Sequence, residues 1–198
     1  MKTLFIEALK KQKINDIDFS KLPSKIILAY SIQYKPLADE IKKKLGKRIK
    51  WFQQVLGCTE LKGKYPIFLV GSGKFHALQL ALQGNQVYIL EGNEIVQLDS
   101  KEIEKLKTNR KTALIKFLTA NMIGILVSTK PGQENLKKAE KLKKQLEKKH
   151  KEAFIFIGDN LNIGELENYN IESWVNTACP ALTSDSRVVN LAEILSKA

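Results

Sequence analysis

The chain has 198 residues, 43% of them hydrophobic and 27% charged, with a formal net charge of +12. That length suffices for one large domain or two small ones with buried cores, and the composition is that of a globular chain. Nothing approaches the roughly 20 apolar residues of a spanning helix, the start "MKTLFIEALKKQ" shows Glu7 and no cleavage-type small-residue pattern, and two cysteines argue against a disulfide framework, so the sequence reads as that of a cytoplasmic protein without a membrane segment.

Residues 2–13 read as an amphipathic helix, followed by a polar loop to Pro23. "KIILAYSI" (25–32) is a short apolar, β-branched run and predicts a buried strand. "KPLADEIKKKLG" (35–46) predicts a helix with Leu37, Ile41 and Leu45 on one face and Gly46 as its stop. Strands are predicted at 48–52, 65–73 and 86–90, with a helix over 74–85 that stops at Gly84. Residues 100–121 predict a long helix, with Ile103, Leu106, Leu114, Phe117 and Leu118 on one side.

The pattern then restarts. "MIGILVST" (122–129) predicts a strand, and residues 132–150 a lysine-rich helix with Leu136, Ala139, Leu142 and Leu146 inward and Pro131 at its first turn. Residues 153–158 and 173–178 predict strands, 163–168 a short helix, and 187–198 a strand or loop ending in a helix. Strands alternating with helices imply an α/β fold of two small Rossmann-like units, each a parallel sheet flanked by helices. The expected units are residues 1–118 and 119–198. Ligand sites in such sheets collect outside the carboxyl ends of the strands. The loops "YSIQY", "GSGKFH", "STKPGQ" and "ACPALT" fall there.

Only three of the 33 basic residues are arginines, Arg48, Arg110 and Arg187. Lysine is a point charge and a poor reader of bases. The charge therefore points to a solvated lysine-rich surface or to attraction of an acidic partner, not to sequence-specific nucleic-acid binding. His150 lies in the charge run "EKKHKE" and is expected to be exposed.

"GSGKFH" (71–76) is a glycine-rich strand-to-helix turn. Its glycines allow close backbone approach, and the helix start offers free N–H groups. It is neither a dinucleotide fingerprint, with His76 in place of a third glycine, nor a P-loop. It reads as an anion site or as a plain tight turn. "STKPGQ" (128–133) reads either as a capped helix start or as a site where Lys130 and Gln133 hold a carboxylate or phosphate. Cys58, in "VLGCT", and Cys179, in "TACPA", each follow an apolar run. Free cysteine is usually a small buried hydrophobe, but both stand at strand ends, where two thiolates can meet a metal cluster.

Taken together, "QQVLGCT", "FLVGSGKFHALQLAL", "GILVSTKPGQ" and "VNTACPALTSDS" resemble the middle and last domains of the diphthamide synthesis enzymes, the 2-(3-amino-3-carboxypropyl)histidine synthases. The resemblance runs from about residue 20 to 185, in order. It implies three similar α/β domains, each giving one cysteine to a four-iron four-sulfur cluster whose remaining iron binds S-adenosylmethionine. Cleavage there yields a 3-amino-3-carboxypropyl radical that adds to a histidine of translation elongation factor 2. By position Cys58 and Cys179 match two cluster ligands. Gln33, Gly71, Ser72, Gly73, His76, Ser128, Lys130 and Gln133 are the implied cofactor-binding residues.

There are departures. The family's first domain has no counterpart in these residues. Ala181 stands where the family has Arg, with only Asp185 close by, and Tyr34 replaces a His beside Gln33. The resemblance therefore implies part of a diphthamide synthase, its cluster completed by a separate first-domain chain, in a homo- or hetero-oligomer. Two alternatives stand beside it. One is a non-catalytic subunit supporting a catalytic homologue; the other is a stand-alone nucleotide- or phosphate-binding module using "GSGKFH" and "STKPGQ".

Overall fold

A computed structural model describes residues 8–10, 14, 17–56, 59–61, 63–180 and 186–195. The chain divides into two compact units, one up to Glu104 and one from Lys105. Each carries one sheet. Most of the expected first helix lies outside the described residues, and residues 8–10 form none.

The first unit holds β1 (Ile26–Tyr30), α1 (Lys35–Leu45), β2 (Ile49–Gln54), β3 (Ile67–Val70), α2 (Lys74–Ala81), β4 (Val87–Glu91) and β5 (Glu94–Gln97). The sheet order is β2-β1-β3-β4-β5. β1 is buried throughout, because it packs on both faces. Ile26, Leu28 and Tyr30 meet Leu37, Ala38, Ile41 and Leu45 of α1, while Ile27 and Ala29 share the opposite core with Ala77, Leu80 and Ala81 of α2. A strand period of two and a helix period of 3.6 together make this possible. α1 carries Pro36 in its first turn and ends at Gly46, whose φ of +50° stops it as expected. The first four strands are parallel, but β5 pairs antiparallel to β4. The sequence reading missed this hairpin. Its signal is the two-residue link Gly92-Asn93, with Gly92 at φ +61°.

α3 (Ser100–Thr119) crosses the division between units. Ile103 packs with the first unit's core, and Ala113 and Phe117 with the second's. Leu118, expected on the inward face, is 63% exposed. Leu114, also expected inward, packs partly buried against the same core as Phe117.

The second unit holds β6 (Met122–Ser128), α4 (Leu136–Glu147), β7 (Glu152–Gly158), β8 (Ser173–Asn176), β9 (Val188–Asn190) and α5 (Leu191–Leu195). All pairings are parallel, in the order β7-β6-β8-β9. One face packs Ile123, Ile125 and Val127 against Ala139, Leu142 and Leu146 of α4. The other holds Leu126, Trp174 and Val188 under Ile163, which sits in a 3-10 turn, Ile163–Leu166. His150 is exposed, as expected. Among the described residues no helix is long and apolar enough to cross a membrane.

Candidate functional site

In the first unit β1 and β3 are parallel neighbours, with Tyr30 opposite Val70. Their next residues therefore leave the sheet side by side. The Ser31 N–H donates to the Val70 carbonyl at 3.1 Å. A Cβ on Gly71 would lie 3.3 Å from Ser31 Oγ, tighter than most Cβ contacts, so glycine suits this crossing. Gly73 has φ +75° and leads into α2 with no side-chain cap. The first N–H groups of α2 are thus open to a ligand. His76 sits in that first turn, and burial holds its pKa below the ordinary 6.5.

Gln33 is exposed beside an opening of about 310 Å³ lined also by Lys10, Tyr34 and Ser72. Tyr34 is buried, and Lys10 Nζ donates to its hydroxyl at 3.2 Å. Ser31 Oγ is buried, with no hydrogen-bond partner among the described residues. The first unit thus brings Gln33 and Ser72 to one opening. Cys58, with Gly57, lies outside the described residues. On either side of them, Leu56 N–H donates to Thr59 Oγ1 at 2.8 Å and Thr59 N–H to the Leu56 carbonyl at 3.1 Å.

In the second unit β6 ends at buried Ser128, whose Oγ accepts from Lys130 N–H at 3.2 Å. Gly132, at φ +77°, shapes a turn in which Gln133 N–H donates to the Lys130 carbonyl at 3.0 Å. The expected helix start at residues 130–133 is therefore corrected: α4 begins at Leu136 and Pro131 stands before it in a turn. The cause is Asn135. Its side chain does not cap the helix but donates to the Thr177 carbonyl at 2.8 Å and the Gln133 carbonyl at 3.3 Å. It thereby ties the loop after β6 to the loop after β8.

Cys179 is a free, partly buried thiol on that second loop. Asn176 organises it: Nδ2 donates to the Cys179 carbonyl at 2.8 Å and to Asn190 Oδ1 at 3.0 Å, while Oδ1 accepts from Ala178 N–H at 2.9 Å. Asn190 donates to Glu193 at 3.0 Å, and Glu193 pairs with Arg110 at 3.2 Å. Thr177 Oγ1 donates to the Leu126 carbonyl at 2.7 Å. The sequence reading gave none of Asn135, Asn176, Thr177 or Asn190 a role in the site. The usable signal was an amide at the end of an apolar strand, since a buried amide needs partners. Asp159 was missed as well; with Ser128, Lys130 and Gln133 it lines a pocket of about 150 Å³.

Among the described residues no three His, Cys, Asp or Glu side chains converge as a metal-binding group. Cys179 offers one partly accessible thiol on a pinned backbone. That fits one ligand of a thiolate-held cluster completed by other thiolates.

The model of the diphthamide synthesis protein family matches residues 3–188. The 2-(3-amino-3-carboxypropyl)histidine synthase of Pyrococcus horikoshii is 30% identical over 196 residues, covering 91% of this chain and 56% of that protein. Its namesake from Methanocaldococcus jannaschii is 28% identical over 207 residues, covering 96% of this chain and 58% of that protein. Crystal structures of Dph2 from Pyrococcus horikoshii, one of them with a 4Fe-4S cluster, match with a TM-score of 0.72 and 28% identity, over 88% of this chain and 57% of theirs. The chain therefore spans little more than half the length of these relatives.

Proposed function

The chain belongs to the diphthamide synthesis protein family, and from that premise we propose that it is part of a 3-amino-3-carboxypropyl transferase acting on a histidine of translation elongation factor 2. S-adenosylmethionine is the donor. Cys179 and Cys58 are two ligands of a four-iron four-sulfur cluster, with a third thiolate from polypeptide outside these 198 residues. When bound, that cluster supplies the electron for breaking the carbon–sulfur bond of the sulfonium. The observation that carries the reading is the free Cys179 thiol beyond the carboxyl end of β8, on a loop whose backbone Asn176 pins, in a family with a cluster-bearing member.

The protein's own groups have three tasks. Asn135 ties the Cys179 loop to the loop of Lys130 and Gln133, and Asn176 pins the Cys179 loop to itself and to Asn190. Lys130 and Gln133 bind the donor's carboxylate. In the first unit, the glycine turn with Gln33, Ser72 and His76 is the second candidate surface for the donor, with His76 a neutral imidazole at neutral pH because burial lowers its pKa.

Anaerobic reconstitution tests this. The chain alone should hold little stable cluster, since two thiolates leave a cubane under-ligated. Adding a polypeptide with the family's first domain should restore the thiolate-to-iron absorption and transfer to the elongation factor, and Cys179→Ser should remove both. A stable stoichiometric cluster on the lone chain, or full assembly with Cys179→Ser, contradicts the ligand assignment.

A further inference from the structure

The pocket at the ends of β6 and β7 has a second wall, formed by Asp159, Asn160, Leu161 and Asn162. Its size, charge and fixation define what it accepts. Sites for drug-sized ligands are about 300–1,000 Å³; this one is about 150 Å³ and takes a head group, not a nucleoside. It is lined by one cation, Lys130, and one carboxylate, Asp159. A phosphate would be opposed by Asp159, and a simple amine by Lys130.

Asp159 is held in place. The Thr129 hydroxyl donates to its Oδ1, and Thr129 N–H donates to the Gly158 carbonyl at 3.2 Å. A carboxylate accepts about four hydrogen bonds, so capacity for a ligand ammonium remains. Asn162 is committed to the wall itself, accepting from Gly164 N–H and donating to Glu165, both at 3.1 Å.

We propose that this pocket recognises a zwitterionic α-amino acid head group, with Asp159 accepting from the ammonium while Lys130 and Gln133 hold the carboxylate. The group in the relatives' name, 3-amino-3-carboxypropyl, carries both functions on one carbon. The inference rests on the proposed function for the owner of the head group, and it adds Asp159 as the residue that distinguishes the amine.

Calorimetric titration of the whole chain tests it with five probes: S-adenosyl-L-methionine, L-methionine, methylthioadenosine, and the decarboxylated amine and deaminated acid derived from L-methionine. Each truncated probe should bind roughly 10- to 100-fold more weakly than L-methionine, the span of a charged hydrogen bond. Asp159→Asn keeps the bond from Thr129 and should erase the penalty for the missing amine alone. Lys130→Gln should erase the penalty for the missing carboxylate alone. Asp159→Asn with full amine discrimination and an unchanged Tm overturns the proposal. So does a wild-type chain that binds neither L-methionine nor S-adenosyl-L-methionine, or one that binds methylthioadenosine as tightly as the latter.

If Asp159→Asn does not fold, carbodiimide labelling of wild-type Asp159 decides. Protection by L-methionine but not by the deaminated acid supports the assignment, and equal labelling overturns it. Tighter binding of S-adenosyl-L-methionine than of L-methionine identifies a sulfonium nucleoside as the source; the reverse identifies a free amino acid, and both keep the head-group site. Head-group selectivity without transfer in the cluster-loaded complex removes the transferase reading and leaves this site standing. Transfer by Asp159→Asn with an unchanged KM for S-adenosylmethionine does the opposite.

Discussion

At the residue scale, Gly124 shows how a strand accommodates a large neighbour. It pairs with Trp174 on β8, and a Cβ there would lie 2.3 Å from two atoms of the indole ring. The indole is only 4% exposed and stacks edge-on against Phe156 at 4.9 Å, so it has little room to withdraw. Gly124→Ala should destabilise the fold by about 1–3 kcal/mol, the usual cost of overpacking. A lower urea midpoint at unchanged m would show it. His76 gives a second residue-scale prediction. Burial lowers its folded pKa below the ordinary 6.5, so the unfolded chain takes up the proton first as pH falls. The stability this histidine contributes is present above pH 6.5 and is lost as pH falls toward the depressed value. Tm measured from neutral to mildly acid pH should fall more steeply in wild type than in His76→Gln; parallel curves contradict this. Neither effect shows in local sequence, because the Trp174 partner and the burial of His76 arise only on folding.

At the scale of elements, the loop carrying Cys179 behaves as an extension of β8. Asn176→Ala would leave the Cys179 carbonyl, the Ala178 N–H and Asn190 short of a partner. Unmet polar groups of this kind cost about 1–3 kcal/mol each when buried. In a Cys58→Ser background, alkylation of Cys179 should quicken in Asn176→Ala; an unchanged rate would mean that Asn176 does not hold the loop. Much of this architecture was legible beforehand. α1 and α4 announce their inward faces by periodicity, and β1 and β6 by their apolar runs. The helix start at 130–133 was misplaced because Asn135 reaches across to Thr177, 42 positions away, and no local rule contains that contact. β5 was missed because one short edge strand exposes three of its four residues and only Ile95 is buried.

At the scale of the whole molecule, the charge of +12 acts at a distance. Lys137, Lys141, Lys144 and Lys148 lie together on the surface of α4, whereas Lys143 donates to the Ala153 carbonyl and pairs with Glu147 at 2.8 Å. The first four are therefore the ones suited to steering an acidic partner. If the proposed function holds, changing them to Gln should slow association of the proposed complex with the elongation factor at low salt. The difference should shrink at physiological salt, where the Debye length is about 8 Å. Stopped-flow association at two salt concentrations checks this, and equal rates at both would make the lysines solubilising surface only.

The sequence by itself determined the alternation of strands and helices, the inward face of α1 and most of that of α4, and the placement of Cys179 and the glycine turn at strand ends. These follow from periods of 2 and 3.6 and from what glycine permits, all of them local. Only the tertiary structure decided that Asn135 and Asn176 bind the loops of Lys130 and Cys179 to neighbouring backbone, that β5 closes the first sheet antiparallel, and that Asp159 faces the pocket of Lys130. The tie from Asn135 to Thr177 and the meeting of Lys130 with Asp159 depend on parallel strands bringing together residues tens of positions apart, and the pairing of such strands is set by burial of the whole sheet rather than by any short stretch of chain; β5 and the Asn176 contacts are local, but their partners are fixed only once β4 and β8 are in place.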